Sequence, residues 1–292
     1  MKFEAHHLSA LAAVLRRGSF EAAAADLAVT PSAISQRIKA LEDRMGTSLI
    51  NRGSPCTGTK AGVRLAKHAE DVGVLEAQLS RDLSLGDTSG PTRLRIAVNA
   101  DSLATWFMAA MAQVDDVLFD LVIDDQDHSA DWLKRGEVSA AVTATAKPVT
   151  GCDAIPLGSL RYLATASPKF MQRWFADGVN SDALARAPCL TFNAKDALQK
   201  IWISENFDQR IAPPTHFVPS SHAFVDAARS GIGWGLNPEP MVVGPIRNGR
   251  LVQLLANAPL DVPLCWQVSR IMAPALEPLT NAVRKAAGRV LI

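Results

Sequence analysis

The sequence predicts an α/β chain in three parts: a small helical head closed by a β wing, one long helix, and a two-lobed body of alternating strands and helices. Three observations predict it. Through the first sixty residues apolar side chains recur at helical spacing, and the pattern breaks at glycines. From residue 60 to 85 one narrow apolar seam follows. Beyond residue 91 short apolar runs alternate with helical stretches, as strands crossed by helices do. A length of 292 residues suits two or three folding units.

The head reads as three helices. Leu8, Leu11, Ala12 and Leu15 fall at i, i+3, i+4 and i+7, one apolar stripe. Gly18 ends that helix, being free to adopt positive φ. Ser19 caps a second helix striped by Phe20, Ala23, Ala24 and Leu27, with Glu21 in its first turn. Thr30 and Pro31 open the third, as N-cap and as a first residue whose missing N–H costs nothing. Ile34, Ile38, Leu41 and Met45 line its inner side, and Gly46 stops it.

Two short helices joined by a tight turn outline a helix-turn-helix, whose second helix is the reading one. At about 100° per residue, Ser32, Ser35, Gln36 and Lys39 share an arc opposite the apolar stripe. Hydroxyls, an amide and a cation suit phosphates and base edges. An ordinary solvated face is the plain alternative. Arg37 lies beside the buried stripe and is not a base-contact candidate. Ser48–Asn51 and Cys56–Thr59 flank the turn Gly53-Ser54-Pro55 and read as a wing, with Arg52 near its tip to touch phosphate or the minor groove. Leu65, Ala69, Val72, Leu75, Leu79 and Leu83 then form a seam suited to a dimer coiled coil, or to packing on the chain's own domain.

Charge divides the chain in the same place. The net charge is +1. Residues 1–67 hold ten Lys+Arg against five Asp+Glu, and the remainder twenty against twenty-four. A basic head on a mildly acidic body points to different partners for each, nucleic acid for the head. Hydrophobic residues at 48% and charged residues at 20% exclude a disordered chain. Cysteines 56, 152, 189 and 265 are far apart with no C-x-x-C, which argues against a zinc finger or a disulfide framework. The N-terminal MKFEAHHLSA lacks a signal-peptide core, and no stretch reaches the roughly 18 apolar residues of a span. The expectation is a cytoplasmic protein with no membrane partner.

Gly18-Ser19-Phe20, Ala22–Ala25, the run Thr30-Pro31-Ser32-Ala33-Ile34-Ser35-Gln36-Arg37-Ile38-Lys39-Ala40-Leu41-Glu42, Gly46 and Leu49-Ile50-Asn51-Arg52 resemble, in order and spacing, the N-terminal signature of LysR-type transcriptional regulators. Asn99–Trp106, Gly231–Gly235 and Cys265-Trp266-Gln267 resemble the ArgP/LysG branch, regulators of arginine and lysine transport. The likeness covers nearly the whole chain. The wing, Gly53–Thr59, departs from it in carrying fewer charges than many relatives. The resemblance implies a winged helix-turn-helix, a linker helix and a periplasmic-binding-protein-like effector domain. It also implies a homotetramer, a dyad site on double-stranded DNA, RNA polymerase at the promoter, and activation of an amino-acid exporter or metabolic gene.

The body supports that architecture from its own pattern. Gly86–Pro91 is a linker. Arg93–Asn99, Val117–Asp124 and Val138–Thr143 read as strands around helices at Asp101–Val114 and Asp131–Gly136, giving a parallel sheet. A second lobe carries strands near Cys189–Phe192, His216–Pro219 and Ile232–Leu236, and helices near Pro168–Phe175, Ala194–Asn206 and His222–Ser230. A last helix, Leu276–Leu291, returns to the first lobe. The expected division is a DNA-binding domain at 1–59 with its helix-turn-helix at about 20–39, a linker helix and hinge at 60–91, and an effector domain at 92–292. Lobe I takes about 92–160 and 269–292, lobe II about 161–268.

In such folds ligands bind beyond the carboxyl ends of the strands, between lobes. Asn99, Asp101 and Ser102 stand where the first strand meets the next helix, whose N-terminus can hold a carboxylate. Asp101 suits an ammonium or guanidinium, or it caps the helix; the resemblance favours the ligand. Between Arg95 and Lys134 there is no Lys or Arg but eight Asp, of which Asp124, Asp125 and Asp127 follow a strand end and form an acidic lip. Phe192, Ser220 and Ser221 are the candidates from the opposite lobe. The ligand that fits is L-lysine or L-arginine. Trp106 and Trp234 line the cleft or, by the usual fate of large aromatics, belong to the core.

No cofactor, metal site or enzymatic motif is expected. G-x-S-x-G, H-E-x-x-H and the P-loop are missing, and the six histidines make no metal spacing. Side chains alternating along one strand end, as in Asp-Asp-x-Asp-His, rarely converge on a cation. Two rival readings stand beside the regulator: a cytosolic amino-acid-binding module, and a non-specific DNA architectural protein.

Overall fold

The computed structural model describes residues 3–84, 91–124, 129–207 and 211–292. Helices α1 (Ala5–Arg17), α2 (Phe20–Asp26) and α3 (Pro31–Met45) pack around Leu11, Val14, Ile34, Ile38 and Leu41. Their ends follow from local chemistry. Gly18 and Gly46 adopt φ of 71° and 66°, closing α1 and α3 with left-handed caps. Ser19 Oγ accepts from Ala22 N at 3.0 Å, and Thr30 Oγ1 from Ala33 N at 3.2 Å, with Pro31 at the first helical position.

Strands β1 (Ile50–Asn51) and β2 (Thr57–Gly58) pair antiparallel as the wing. Helix α4 (Lys60–Asp82) starts at Thr59, whose hydroxyl accepts from Gly62 N. Gly62 packs against the wing so closely that a Cβ would lie 1.9 Å from Leu49 O, which leaves no side chain but hydrogen possible there. The seam of α4 divides along its length. Leu65 and Ala69 belong to the head core, while Val74 and Leu75 pack on the body. Leu79 and Leu83 remain exposed. Lys67, only 4% exposed, is ion-paired with Asp71 and donates to Ser139 Oγ at 2.7 Å. Arg64 Nη1 donates to Gly136 O at 3.0 Å. The long helix is therefore fastened to its own chain from Gly62 to Leu75, first to the head and then to the body.

The body starts with β3 (Thr92–Val98). Helix α5 (Ala100–Ser102) continues through a π-helical segment, Leu103–Phe107, into α6 (Met108–Met111). Then come β4 (Val117–Ile123), α7 (Ser129–Arg135), β5 (Ala140–Thr143) and the long β6 (Cys152–Ala166). Helices α8 (Pro168–Trp174) and α9 (Ser181–Arg186) lead to β7 (Cys189–Thr191), α10 (Leu198–Asn206) and β8 (Thr215–Phe217). The rest is α11 (Ser221–Arg229), β9 (Gly235–Pro238), α12 (Glu239–Arg247), β10 (Val252–Gln253), β11 (Leu260–Ser269) and α13 (Glu277–Ala287).

The three strands expected to form a parallel sheet do so, and the antiparallel strands added to them make the whole sheet mixed. β3 pairs parallel with β4 and β5, but β11 runs antiparallel to both β5 and β6. β6 and β11 cross between the lobes. The first half of β6 belongs with β5 and β11, while its second half pairs with β9 and β10. Pro156, Gly158 and Pro263 interrupt both strands, so neither reads as a strand locally. Helix α13 covers lobe I through Leu279 and Val283, and Trp266 Nε1 donates to Thr280 Oγ1 at 3.1 Å.

Two lobe II boundaries also shift. The helix expected from Ala194 starts at Leu198, because Asn193 Oδ1 takes Lys195 N and Asp196 N while Asp196 takes Phe192 N and Leu198 N. The strand expected from Ile232 starts at Gly235, because Ile232 N still donates to Ala227 O at the end of α11. Trp106 and Trp234 are core residues, 1% and 0% exposed.

Asp26 ties Arg17 of α1, and with it Arg16, to the end of α2. The two guanidinium groups hold its carboxyl down to about 2 from an ordinary 3.8. A depressed pKa stabilises above 3.8 and ceases to do so as pH falls through 2. Asp26→Asn is therefore expected to lower neutral-pH stability by at most about 1 kcal/mol. The melting-temperature gap to the parent should narrow from about pH 4 downward and close only below pH 2 in circular dichroism.

Candidate nucleic-acid interface and effector cleft

The inner face of α3 is fixed by Ile34, Ile38 and Leu41, each at most 1% exposed. That burial turns Ser32, Ser35, Gln36 and Lys39 outward, and all four are exposed. Arg37 is half-buried, as its place beside the stripe requires. Arg52 is exposed one residue beyond β1, its guanidinium 5.7 Å from the Phe20 ring centroid. The stacking pins the wing arginine against α2, on the helix-turn-helix itself. Two hydroxyls, an amide and two cations thus share the solvent side of the basic head.

The cleft is built around Asp101. Its Oδ1 accepts from Ser221 Oγ at 2.6 Å, and its Oδ2 from Tyr162 Oη at 2.8 Å. Asp101 stands in the first turn after β3, Tyr162 on the crossing strand β6, and Ser221 at the start of α11. One carboxylate thereby joins lobe I, the crossing strand and lobe II. Asp101 lines a small cavity with Phe192, Asp196, Ser221, Phe224 and Asn237, of about 20 Å³. That is room for about one water, against the roughly 300–1,000 Å³ of usual ligand sites, so the cleft is nearly closed.

The remaining candidates are distributed as follows. Asn99 and Ser102 are 2% and 0% exposed, and among the described residues Asn99 Oδ1 and Ser102 Oγ have no hydrogen-bond partner. Asp124 Oδ2 accepts from Trp132 Nε1 at 2.9 Å, and Asp124 Oδ1 lies 3.6 Å from Lys195 Nζ of lobe II. Phe192 lines the cavity. Ser220 is exposed, and its hydroxyl caps α11 by accepting from Ala223 N. Of the two serines, Ser221 lines the cavity and Ser220 does not. Asp125 and Asp127 lie outside the described residues.

The sequence reading missed Tyr162, Lys195, Asp196 and Asn237. Tyr162 is the chain's one tyrosine, a signal in itself, but it sits on the strand that local pattern hides. Asp196 spends both oxygens on backbone N–H groups and so shapes the cleft wall. Burial pushes the Cys152, Cys189 and Cys265 thiols up, which keeps them protonated and poor as nucleophiles. Among the described residues no group of three or more His, Cys, Asp or Glu could hold a metal ion, and no helix is long and apolar enough to cross a membrane.

Comparison with known proteins covers both the head and the body. The bacterial regulatory helix-turn-helix domain of the lysR family matches residues 5–63, and the LysR substrate-binding domain matches residues 88–288. The transcriptional regulator LysG of Mycobacterium tuberculosis is 45% identical over 280 residues, 96% of this chain and 92% of that protein. The crystal structure of ArgP from Mycobacterium tuberculosis superposes with a TM-score of 0.81 at 44% identity, covering 99% of each chain. Full-length LysG from Corynebacterium glutamicum, solved with bound effector Arg, gives a TM-score of 0.68 at 35% identity, again over 99% of each chain. The chain belongs to the LysR family of DNA-binding transcriptional regulators, with the helix-turn-helix at its N-terminus and the substrate-binding domain behind it.

Proposed function

We propose that this regulator senses a basic amino acid, L-lysine or L-arginine, between its lobes and controls transcription of an amino-acid exporter or metabolic gene. The observation that carries the reading is the Asp101 carboxylate, joined to Tyr162 and Ser221 across the cleft. An amino acid presents carboxylate and ammonium on one carbon, so their sites must be neighbours. In this reading the backbone N–H groups of the first turn after β3, with Ser102 behind them, take the carboxylate, and Asp101 takes the ammonium. The side-chain cation then reaches the acidic lip at Asp124, with Asp125 and Asp127 beside it in sequence. The arginine bound by the Corynebacterium glutamicum relative is consistent with that chemistry.

The head, residues 1–59, binds a dyad operator through Ser32, Ser35, Gln36, Lys39 and Arg52. Dimerisation places two reading helices about 34 Å apart on one face of the DNA. Residues 60–91 transmit, and residues 92–292 respond. Effector binding changes the angle between lobes and the spacing of subunits in a tetramer, and so the output of RNA polymerase at the promoter. A ligand shifts that equilibrium only by its difference in affinity for the two states.

Calorimetry of the full chain against the common amino acids tests the effector. Heat is expected with L-lysine and L-arginine and not with acidic amino acids. No heat with either basic amino acid would remove the effector reading and leave the DNA-binding one standing. Footprinting separates the regulator from its rivals: protection at one dyad site distinguishes it from a solute-binding module and from an architectural protein.

A further inference from the structure

Lys195 sits in the lobe II loop between β7 and α10, next in sequence to Asp196, which lines the Asp101 cavity. Two side chains fix that loop. Asn193 Oδ1 accepts from Lys195 N at 2.7 Å, and Asp196 accepts from Phe192 N and Leu198 N at 2.9 and 3.0 Å. The backbone beneath Lys195 is thus held, and its side chain extends across the cleft to lobe I. There its Nζ lies 3.6 Å from Asp124 Oδ1. Trp132 Nε1 holds the other oxygen of Asp124 at 2.9 Å, so the carboxylate is presented in a set orientation. Lys195 remains 55% exposed and Asp124 22%.

The protein's own ammonium therefore stands on the carboxylate assigned above to the ligand's side-chain cation. A lysine side chain of the protein and that of a lysine ligand are the same chemical group, and one carboxylate oxygen accommodates one of them well. We propose that Lys195 is a tethered competitor: its ammonium occupies the acidic lip until a basic effector displaces it, and so sets the effector concentration at which the regulator responds. This inference rests on the effector reading above. It assigns Lys195 a specificity role, since a neutral side chain cannot displace the tethered cation. The pairing also spans the lobes, so displacement occurs at the place where the lobes move.

The test is calorimetry of the full chain with L-lysine and with L-arginine, comparing Lys195→Met and Lys200→Met with the parent. Lys200 is an equal charge on α10 that lines the adjoining pocket of lobe II, on the far side of Asp196, with Thr191, Thr215 and Phe217. An exposed ion pair is worth little, so Lys195→Met should lower Kd roughly 2- to 5-fold. Lys200→Met should leave it unchanged. In a reporter assay the Lys195 variant should respond at correspondingly lower effector concentration. An unchanged or raised Kd in Lys195→Met, or an equal gain in Lys200→Met, overturns the competitor. The absence of heat in the parent and in Lys195→Met alike overturns the effector reading itself, and the competitor with it.

Discussion

Asp101→Asn should weaken L-lysine and L-arginine binding roughly 10- to 150-fold, the value of about 1.5–3 kcal/mol for a hydrogen bond to a charged group. The substitution is close to isosteric, and the partners it leaves are forgiving. Ser221 and Tyr162 offer hydroxyls, which can accept from an amide as readily as they donate to a carboxylate. The fold and the contact between lobes should therefore survive, and the melting temperature should stay near the parent's. What disappears is the negative charge that an α-ammonium needs in a nearly closed cleft. Calorimetry reads the loss. Equal isotherms for parent and variant would take Asp101 out of the binding site and leave it as a strut between lobes. The same variant should keep its affinity for operator DNA in the absence of effector, since α3 lies in a different core from the cleft.

The contrast between head and body shows what a sequence carries locally. Every device in the head acts within a few residues: the left-handed glycines, the Ser19 and Thr30 caps, Pro31 at a helix start, the stripe of Ile34, Ile38 and Leu41. Such devices are legible because the residue and its consequence are neighbours. The body depends on partners far along the chain. β6 is a strand because β11, about a hundred residues later, pairs with it, as Arg161 with Asp261 illustrates. Neither proline nor glycine within these strands reveals that pairing. Tyr162, and with it half of the Asp101 network, was lost to sequence reasoning for that reason. The Ser220 and Ser221 pair shows how fine the remaining ambiguity is. Both hydroxyls stand at one helix start, and only the turn of the backbone decides which one caps and which one faces Asp101.

Gln36→Ala should erase a large share of the discrimination between operator and unrelated DNA while leaving non-specific affinity almost intact. A side-chain amide that meets adenine N6 and N7 is worth about 1–3 kcal/mol of discrimination, and a dyad uses it twice, for roughly 2–6 kcal/mol. Specific binding exceeds non-specific binding by about 4–10 kcal/mol in typical cases, so this one residue would remove a large share. Its placement makes the prediction sharp. Ile34 and Ile38 are both 0% exposed, which leaves α3 no freedom to rotate Gln36 off the outer face without exposing them. Lys39, on the same exposed face, should behave differently. A cation on phosphate adds affinity for any sequence, so Lys39→Ala should weaken cognate and non-cognate DNA together and reduce the salt slope by about 1 per subunit. Competitive binding at several salt concentrations separates the two effects. If Gln36→Ala kept full selectivity, α3 would be a solvated face, and the reading surface would have to lie elsewhere on the head.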